Sequence, residues 1–228
     1  DGVEPRISAN HKHGIEFDAT AQEREQARRK AEESGVPYAC VATSCRYADP
    51  ETSAAMIGDT HKAIDLAADV GCGRIRVFGG AFPESMERED AIALVVRSLQ
   101  SVAEHAAERE VTVCMETHDA WCNPAHVAEV IGAVDHPRIA VNWDIMHPVR
   151  VAGVSIDESF RILEPWIQHI HFHDGVQEDG KLTMVPIGEG QIDHRKAVEL
   201  MQSIDYDGFM SGEWINWQPY DEHLPREV

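Results

Sequence analysis

The stretch 111–144, VTVCMETHDAWCNPAHVAEVIGAVDHPRIAVNWD, decides the fold. It opens on a continuous apolar run, 111–116, and closes on another, 138–144. Short unbroken apolar runs are the pattern of strands covered on both faces. Between them, Asn123 and Pro124 supply the N-cap and first-turn proline of a helix predicted over 123–134. Strand, helix, strand in this order is a right-handed βαβ unit with parallel strands. Each strand also delivers a carboxylate at its C-terminal end, Glu116 on the first and Asp144 on the second.

The same reading extends in both directions. Strand-like runs lie at 3–8, 37–43, 74–79, 167–173 and 208–213, which brings the total to seven. Helical periodicity fills 21–34, 54–70, 88–109, 155–163 and 193–203, and Gly35 and Gly71 stand where C-terminal caps belong. There is no proline- or serine-rich linker, so residues 1–228 read as a single domain. Strict alternation predicts an α/β fold, a (β/α)8 TIM barrel. Seven strands are visible where eight close such a barrel of typically ~250 residues. The residues open on DGVEPRI, already a strand, and stop at HLPREV, where a last helix would begin. The expectation is a barrel lacking its first βα unit and most of its last helix. A doubly wound open sheet is the rival, but the glycine-rich phosphate loop usual after its first strand is missing.

Composition narrows the partners. Forty Asp and Glu against twenty Lys and Arg give a formal charge of −20, which opposes the phosphate neutralisation that nucleic-acid binding needs. No apolar run approaches the ~20 residues of a membrane span. The residues carry no charged-then-apolar leader pattern, so a cytoplasmic location is expected. Five cysteines, odd in number and without a C-x-x-C pair, suit a reducing compartment. An incomplete barrel exposes strand edges, so homo-oligomerisation is expected.

The strand ends carry the chemistry. In a parallel barrel the C-terminal strand ends converge on one mouth. Here they bring Glu116, Asp144, a histidine from HIHFHDG and Glu213, an O,O,O,N set for one divalent ion, Mn²⁺, Co²⁺, Mg²⁺ or Zn²⁺. Any one such carboxylate reads equally well as a cap or a surface ion pair; their coincidence carries the metal reading. His169, His171 and His173 alternate along one strand and share a face at different depths, which leaves the ligand among them open and a second metal conceivable. An ion held here can grip two oxygens of a hydroxy-ketone and acidify the neighbouring C–H. Glu116 and Glu213 are then placed to take and return the proton. Candidates for substrate contact are His118 with Asp119, His173, Glu4 and Arg6 on the first strand, and Arg76 ahead of Gly79-Gly80. The loop His11-Lys12-His13 faces the expected mouth but reads more simply as a solvated loop. Trp143, Trp214 and Trp217 flank the candidate ligands and suit either an apolar wall against a bound substrate or ordinary core. Gly188-x-Gly190 is a turn between strand and helix.

The segments GVEPRI, CMETHD, NWDIMHP, HIHFHD, IGEGQID and YDGFMSGEW, in this order over the whole chain, resemble the xylose isomerase-like TIM-barrel superfamily, within it the sugar phosphate isomerase/epimerase group. The resemblance implies metal ligands at Glu116, Asp144, His171 and Glu213, with His171 chosen because it stands three residues before Asp174. It implies proton transfer by the two glutamates and a substrate contact at His147. Two departures stand out. Cys122 replaces a glutamate found in some ketose epimerases, and His173 stands where many relatives have lysine. The implied activity is a metal-dependent isomerase or epimerase of a sugar, sugar phosphate or related polyol, acting through an enediolate. Dehydratases of the inosose and dehydroshikimate type share the motifs and are the alternative. An apurinic-site endonuclease would need a three-metal cluster and a basic groove, against the −20 charge. A non-catalytic partial barrel is the remaining reading.

Overall fold

A computed structural model describes residues 1–9, 11, 13–214 and 218–227. In order along the chain the elements are α1 (Ala21–Ser34), β1 (Val41–Arg46), α2 (Ser53–Val70), β2 (Arg74–Phe78), α3 (Arg88–Glu108), β3 (Thr112–Glu116), α4 (Pro124–Val134), β4 (Ile139–Asp144), α5 (Ile156–Leu163), β5 (Ile167–Phe172), β6 (Asp174–Glu178), β7 (Lys181–Val185), α6 (His194–Ser203), β8 (Met210–Gly212) and α7 (Tyr220–Glu227). Strands β1, β2, β3, β4, β5 and β8 pair in that order as one parallel sheet. The helices pack side by side against it, α1 on α2 through α5 on α6, as the alternation predicted. This is a partial (β/α)8 barrel.

Local chemistry explains the helix bounds. Thr20 caps α1, its hydroxyl accepting from the Glu23 N–H while the Glu23 carboxylate accepts from the Thr20 N–H at 2.8 Å, a reciprocal capping box. Gly35 and Gly71 close α1 and α2 at φ 68° and 81°, a region that costs glycine nothing. Asn123 accepts from the Ala125 N–H, and Pro124 opens α4.

Alternation within each strand sets the two layers. Ile75, Val77, Val113, Met115, Val141, Trp143 and Ile170 are all fully buried in the apolar core, which the helices cover. Their neighbours Arg76, Glu116, Asn142, Asp144, His169 and His171 are equally buried but polar, and they line the concave side. Burying a charge is costly unless it is matched, so this side has to be a mutually compensating network. Among the described residues no helix is long and apolar enough to cross a membrane. All five cysteines are buried free thiols.

Three elements differ from the sequence reading. The run 3–8 is not a regular strand. It runs parallel to the segment before and within β1 through bridges Val3 to Tyr38 and Arg6 to Ala42. Ala39 donates to the Val3 carbonyl at 2.8 Å and Ala42 to the Pro5 carbonyl at 3.0 Å, so three residues of one segment step against two of the other. Pro5 has no N–H to offer, which favours a broken ladder. Second, β6 and β7 form an antiparallel hairpin that the sequence reading left out. Its turn is Asp179-Gly180, at φ 49° and 79°, the dipeptide that two-residue hairpins favour. Third, the last helix is α7 and starts at Tyr220, ahead of HLPREV.

Candidate metal centre

Strand register brings the ligand candidates to one level. Glu116 pairs with Asn142, Asp144 with His171, and His171 with Ser211, which leaves Glu213 just past the end of β8. One ligand atom from each of Glu116, Asp144, His171 and Glu213 falls in a group whose members lie within 4.8 Å of one another. The first three are 0–1 % exposed.

His171 is the hub. Its Nδ1 lies 3.1 Å from Glu116 Oε1 and 3.5 Å from Glu213 Oε2, while its Nε2 lies 3.0 Å from Glu4 Oε1. Burial opposes a charge there, yet Glu4, Glu116 and Glu213 together hold the imidazole well above its ordinary pKa. Burial likewise works against Glu4, but His171 and His169 keep its carboxyl well below the usual range. Glu213 is brought down to about 2, with burial outweighed by His171 and Arg76. Asp144 is lowered against its burial by His173 and His147. Arg76 reaches between the glutamates, with Nε 3.1 Å from Glu116 Oε2 and Nη2 3.6 Å from Glu213 Oε1, and its Nη1 donates to the Thr43 carbonyl at 2.8 Å.

The donor set fits a divalent cation. Glu116 Oε2 and Asp144 Oδ2 are buried and accept no hydrogen bond among the described residues, although Arg76 and His173 lie close to them. Asp144 Oδ1, by contrast, is fixed by the N–H groups of Met146 and His147 at 2.9 and 3.0 Å. Two carboxylate oxygens short of a donor, beside an imidazole nitrogen that already faces carboxylates, are what an oxygen-preferring ion with one nitrogen ligand requires. Such an ion would displace the proton that His171 otherwise carries.

A wall of imidazoles adjoins the cluster. His173 Nε2 is 2.7 Å from Asp144 Oδ2, and His147 Nε2 is 3.8 Å from the same oxygen. The rings of His147 and His173 meet edge-on at 5.3 Å, those of His118 and His147 at 4.3 Å. Arg150, which the sequence reading passed over, points Nη2 at His147 Nδ1 at 3.2 Å and donates through Nη1 to Gln177 of β6. A guanidinium only donates, so Nδ1 is the acceptor and Nε2 carries the His147 proton. Asp144, His147 and His173 also form a cluster within 4.8 Å, as do Glu4, His169 and His171. His118 is held by Asp119 at 2.7 Å and rests on Phe78.

Two cavities open on the cluster. The larger, about 510 Å³, is bounded by Glu4, Arg6, Arg76, His171, Glu213 and Trp214, with His11 and His13 at its edge. The smaller, about 240 Å³, joins Arg6, Arg76 and Glu213 to the imidazole wall and to Phe78, Met146, Leu182 and Met184. The last two belong to the hairpin, so the element missing from the sequence reading supplies an apolar wall.

Several sequence readings shift. Both Glu4 oxygens face histidines, His171 and, at 2.8 Å, His169. Trp143 is no wall of the site: Asp144 points inward, so its neighbour points outward, and the Trp143 indole donates to Ser159 on α5. Trp214 does line the larger cavity; Trp217 and Lys12 lie outside the described residues. Gly79 and Gly80 admit protein rather than substrate, since a Cβ on Gly79 would run into Trp121, whose indole donates to the Gly80 carbonyl at 2.7 Å. The turn at Gly188-x-Gly190 wraps the Asp174 carboxylate, which accepts from the N–H groups of Gly175, Gly188, Gly190 and Ile192.

Comparison with known proteins identifies the family and the fold. The family model described as xylose isomerase-like TIM barrel matches residues 1–227, and the chain belongs to that family. A curated relative, 3-dehydroshikimate dehydratase of Bacillus anthracis, is 27% identical over 165 residues, covering 65% of this chain and 58% of the relative. The match thus spans less than two thirds of that relative's length. Among solved structures, a xylose isomerase domain protein from Planctomyces limnophilus superposes with a TM-score of 0.76 at 22% identity, over 98% of this chain and 83% of that one. A D-psicose 3-epimerase crystallised with D-fructose gives 0.75 at 17% identity, over 94% and 75% of the two chains.

Proposed function

We propose that this protein is a divalent-metal-dependent isomerase or epimerase of a sugar, sugar phosphate or related polyol. The observation that carries the reading is the convergence of Glu116, Asp144, His171 and Glu213 to within 4.8 Å, with one buried oxygen each on Glu116 and Asp144 that accepts no hydrogen bond. These four would hold the ion, His171 through Nδ1. Bound there, it would supply Lewis acidity toward a substrate carbonyl and its neighbouring hydroxyl.

The remaining work belongs to the chain. Glu213 and Glu116 are the groups that take a proton from the carbon beside the carbonyl and return it. Return to the neighbouring carbon or to the opposite face gives isomerisation or epimerisation. His147 offers its Nε2–H, and His118 and His173 stand beside it to bind substrate oxygens. Arg76 keeps Glu116 and Glu213 apart and charge-balanced. Glu4, with both oxygens committed, orients His171 from behind rather than touching substrate.

Incubating the Mn²⁺-loaded protein with a panel of ketoses, D-fructose included, in heavy water tests the proposal. Solvent deuterium should enter the carbon beside the carbonyl, with the rate down at least ~100-fold in Glu213→Gln, the scale of a lost general base. Exchange equal in the mutant and the parent protein would overturn the role of Glu213. The 27% identity to a dehydratase favours a second reading, in which the same proton abstraction expels a β-hydroxyl as water. A product lighter by one water distinguishes it.

A further inference from the structure

Arg6 is a surplus cation at the junction of the two cavities. It is half-buried, its Nε is shielded from solvent without a hydrogen-bond partner, and among the described residues its guanidinium has no ion-pair partner. The carboxylates around it are already matched. Glu4 faces His169 and His171, and Glu116 and Glu213 both face Arg76 and His171.

A buried guanidinium donor without an acceptor is costly, and it is well suited to a planar or tetrahedral anion that it can grip with two N–H groups. The cavity walls say where such an anion would go. In the smaller cavity the other charged and imidazole groups are already engaged, Arg76 by Glu116 and Glu213, His118 by Asp119 and His173 by Asp144, and the rest of its wall is Phe78, Met146, Leu182 and Met184. The larger one brings Arg6 together with His11 and His13, and His13 is itself tied to the Arg6 carbonyl at 2.9 Å. We propose that the substrate is an anionic polyol, a sugar acid or a sugar phosphate, whose charged group is bound by Arg6 in the larger cavity. The inference rests on the isomerase/epimerase reading of the same site and deepens it by naming the substrate class.

The test is calorimetric titration of the chain with erythritol, erythronate and erythritol 4-phosphate, each with and without saturating Mn²⁺. One or both anions should bind at least ten times more tightly than erythritol, and which of them does so separates a carboxylate from a phosphate. Arg6→Gln should abolish that preference and leave Mn²⁺ binding unchanged, and Arg6→Lys should restore part of it. Equal affinity for all three probes, no binding of any of them, or a preference that survives Arg6→Gln overturns the proposal. Failure of the metal reading shows separately, as absence of Mn²⁺ binding, while the preference for anions is still read in the metal-free titrations.

Discussion

At the scale of single residues, His171 organises the site. One imidazole nitrogen faces Glu116 and Glu213 and the other faces Glu4, so Glu4 would leave Nδ1 as the nitrogen for an ion in the proposed centre. Carboxylate partners of this kind orient a ligand imidazole and raise its basicity, and losing one typically costs ~10–100-fold in metal affinity. Glu4→Gln keeps the shape and removes the charge, so Mn²⁺ affinity measured by calorimetry should fall by about that factor while the far-UV spectrum stays unchanged. Unchanged affinity would return Glu4 to the substrate-contact role read from the sequence. The convergence of these four side chains was legible because strand ends in a parallel barrel share one mouth, so four runs each ending in Glu, Asp or His pointed to one place. What the sequence could not convey is which neighbour each side chain would choose. Glu4 and His171 lie 167 residues apart, and no local pattern links them. Trp143 was ambiguous only until its neighbour was fixed: with Asp144 inward, period two sends the tryptophan to α5.

At the scale of elements, the hairpin β6–β7 and the turn behind it complete the mouth. Asp174 ties them together, since its two oxygens accept four backbone N–H groups from residues 175–192. Asp174→Ala would leave those donors without their acceptor. With roughly 1.5–3 kcal/mol for a hydrogen bond to a charged group, partly offset by water, urea unfolding should show a loss of at least about 2 kcal/mol. A loss below ~0.5 kcal/mol, the level of an ordinary surface substitution, would show that the turn is held by other contacts. The hairpin carried its signal openly in Asp179-Gly180, but it falls between a strand and a helix where the alternation leaves no place for an extra element. The helices were the easier elements, because Thr20, Gly35, Gly71 and Asn123-Pro124 are local caps that act without tertiary help. The first strand-like run was harder. Its hydrogen bonds step unevenly past Pro5, a matter of register between segments some 35 residues apart.

At the scale of the whole molecule, the partial barrel concentrates its buried charge on one side. Twenty excess acids make the field negative, yet the concave side balances Glu4, Glu116, Asp144 and Glu213 against Arg76, Arg6 and a row of histidines. A divalent ion would complete that balance in the folded state alone, so it should stabilise the fold by about 2.7 kcal/mol at 100 times its dissociation constant. The most direct test of the metal centre is therefore a thermal melt of the metal-stripped protein with and without Mn²⁺, beside Glu213→Gln and Asp144→Asn. For a chain of this size, roughly 2–4 °C per kcal/mol predicts a rise of about 5–10 °C in Tm for the parent protein and none in either variant. A cooperative melt that ignores Mn²⁺, or a rise that persists in both variants, would contradict the account.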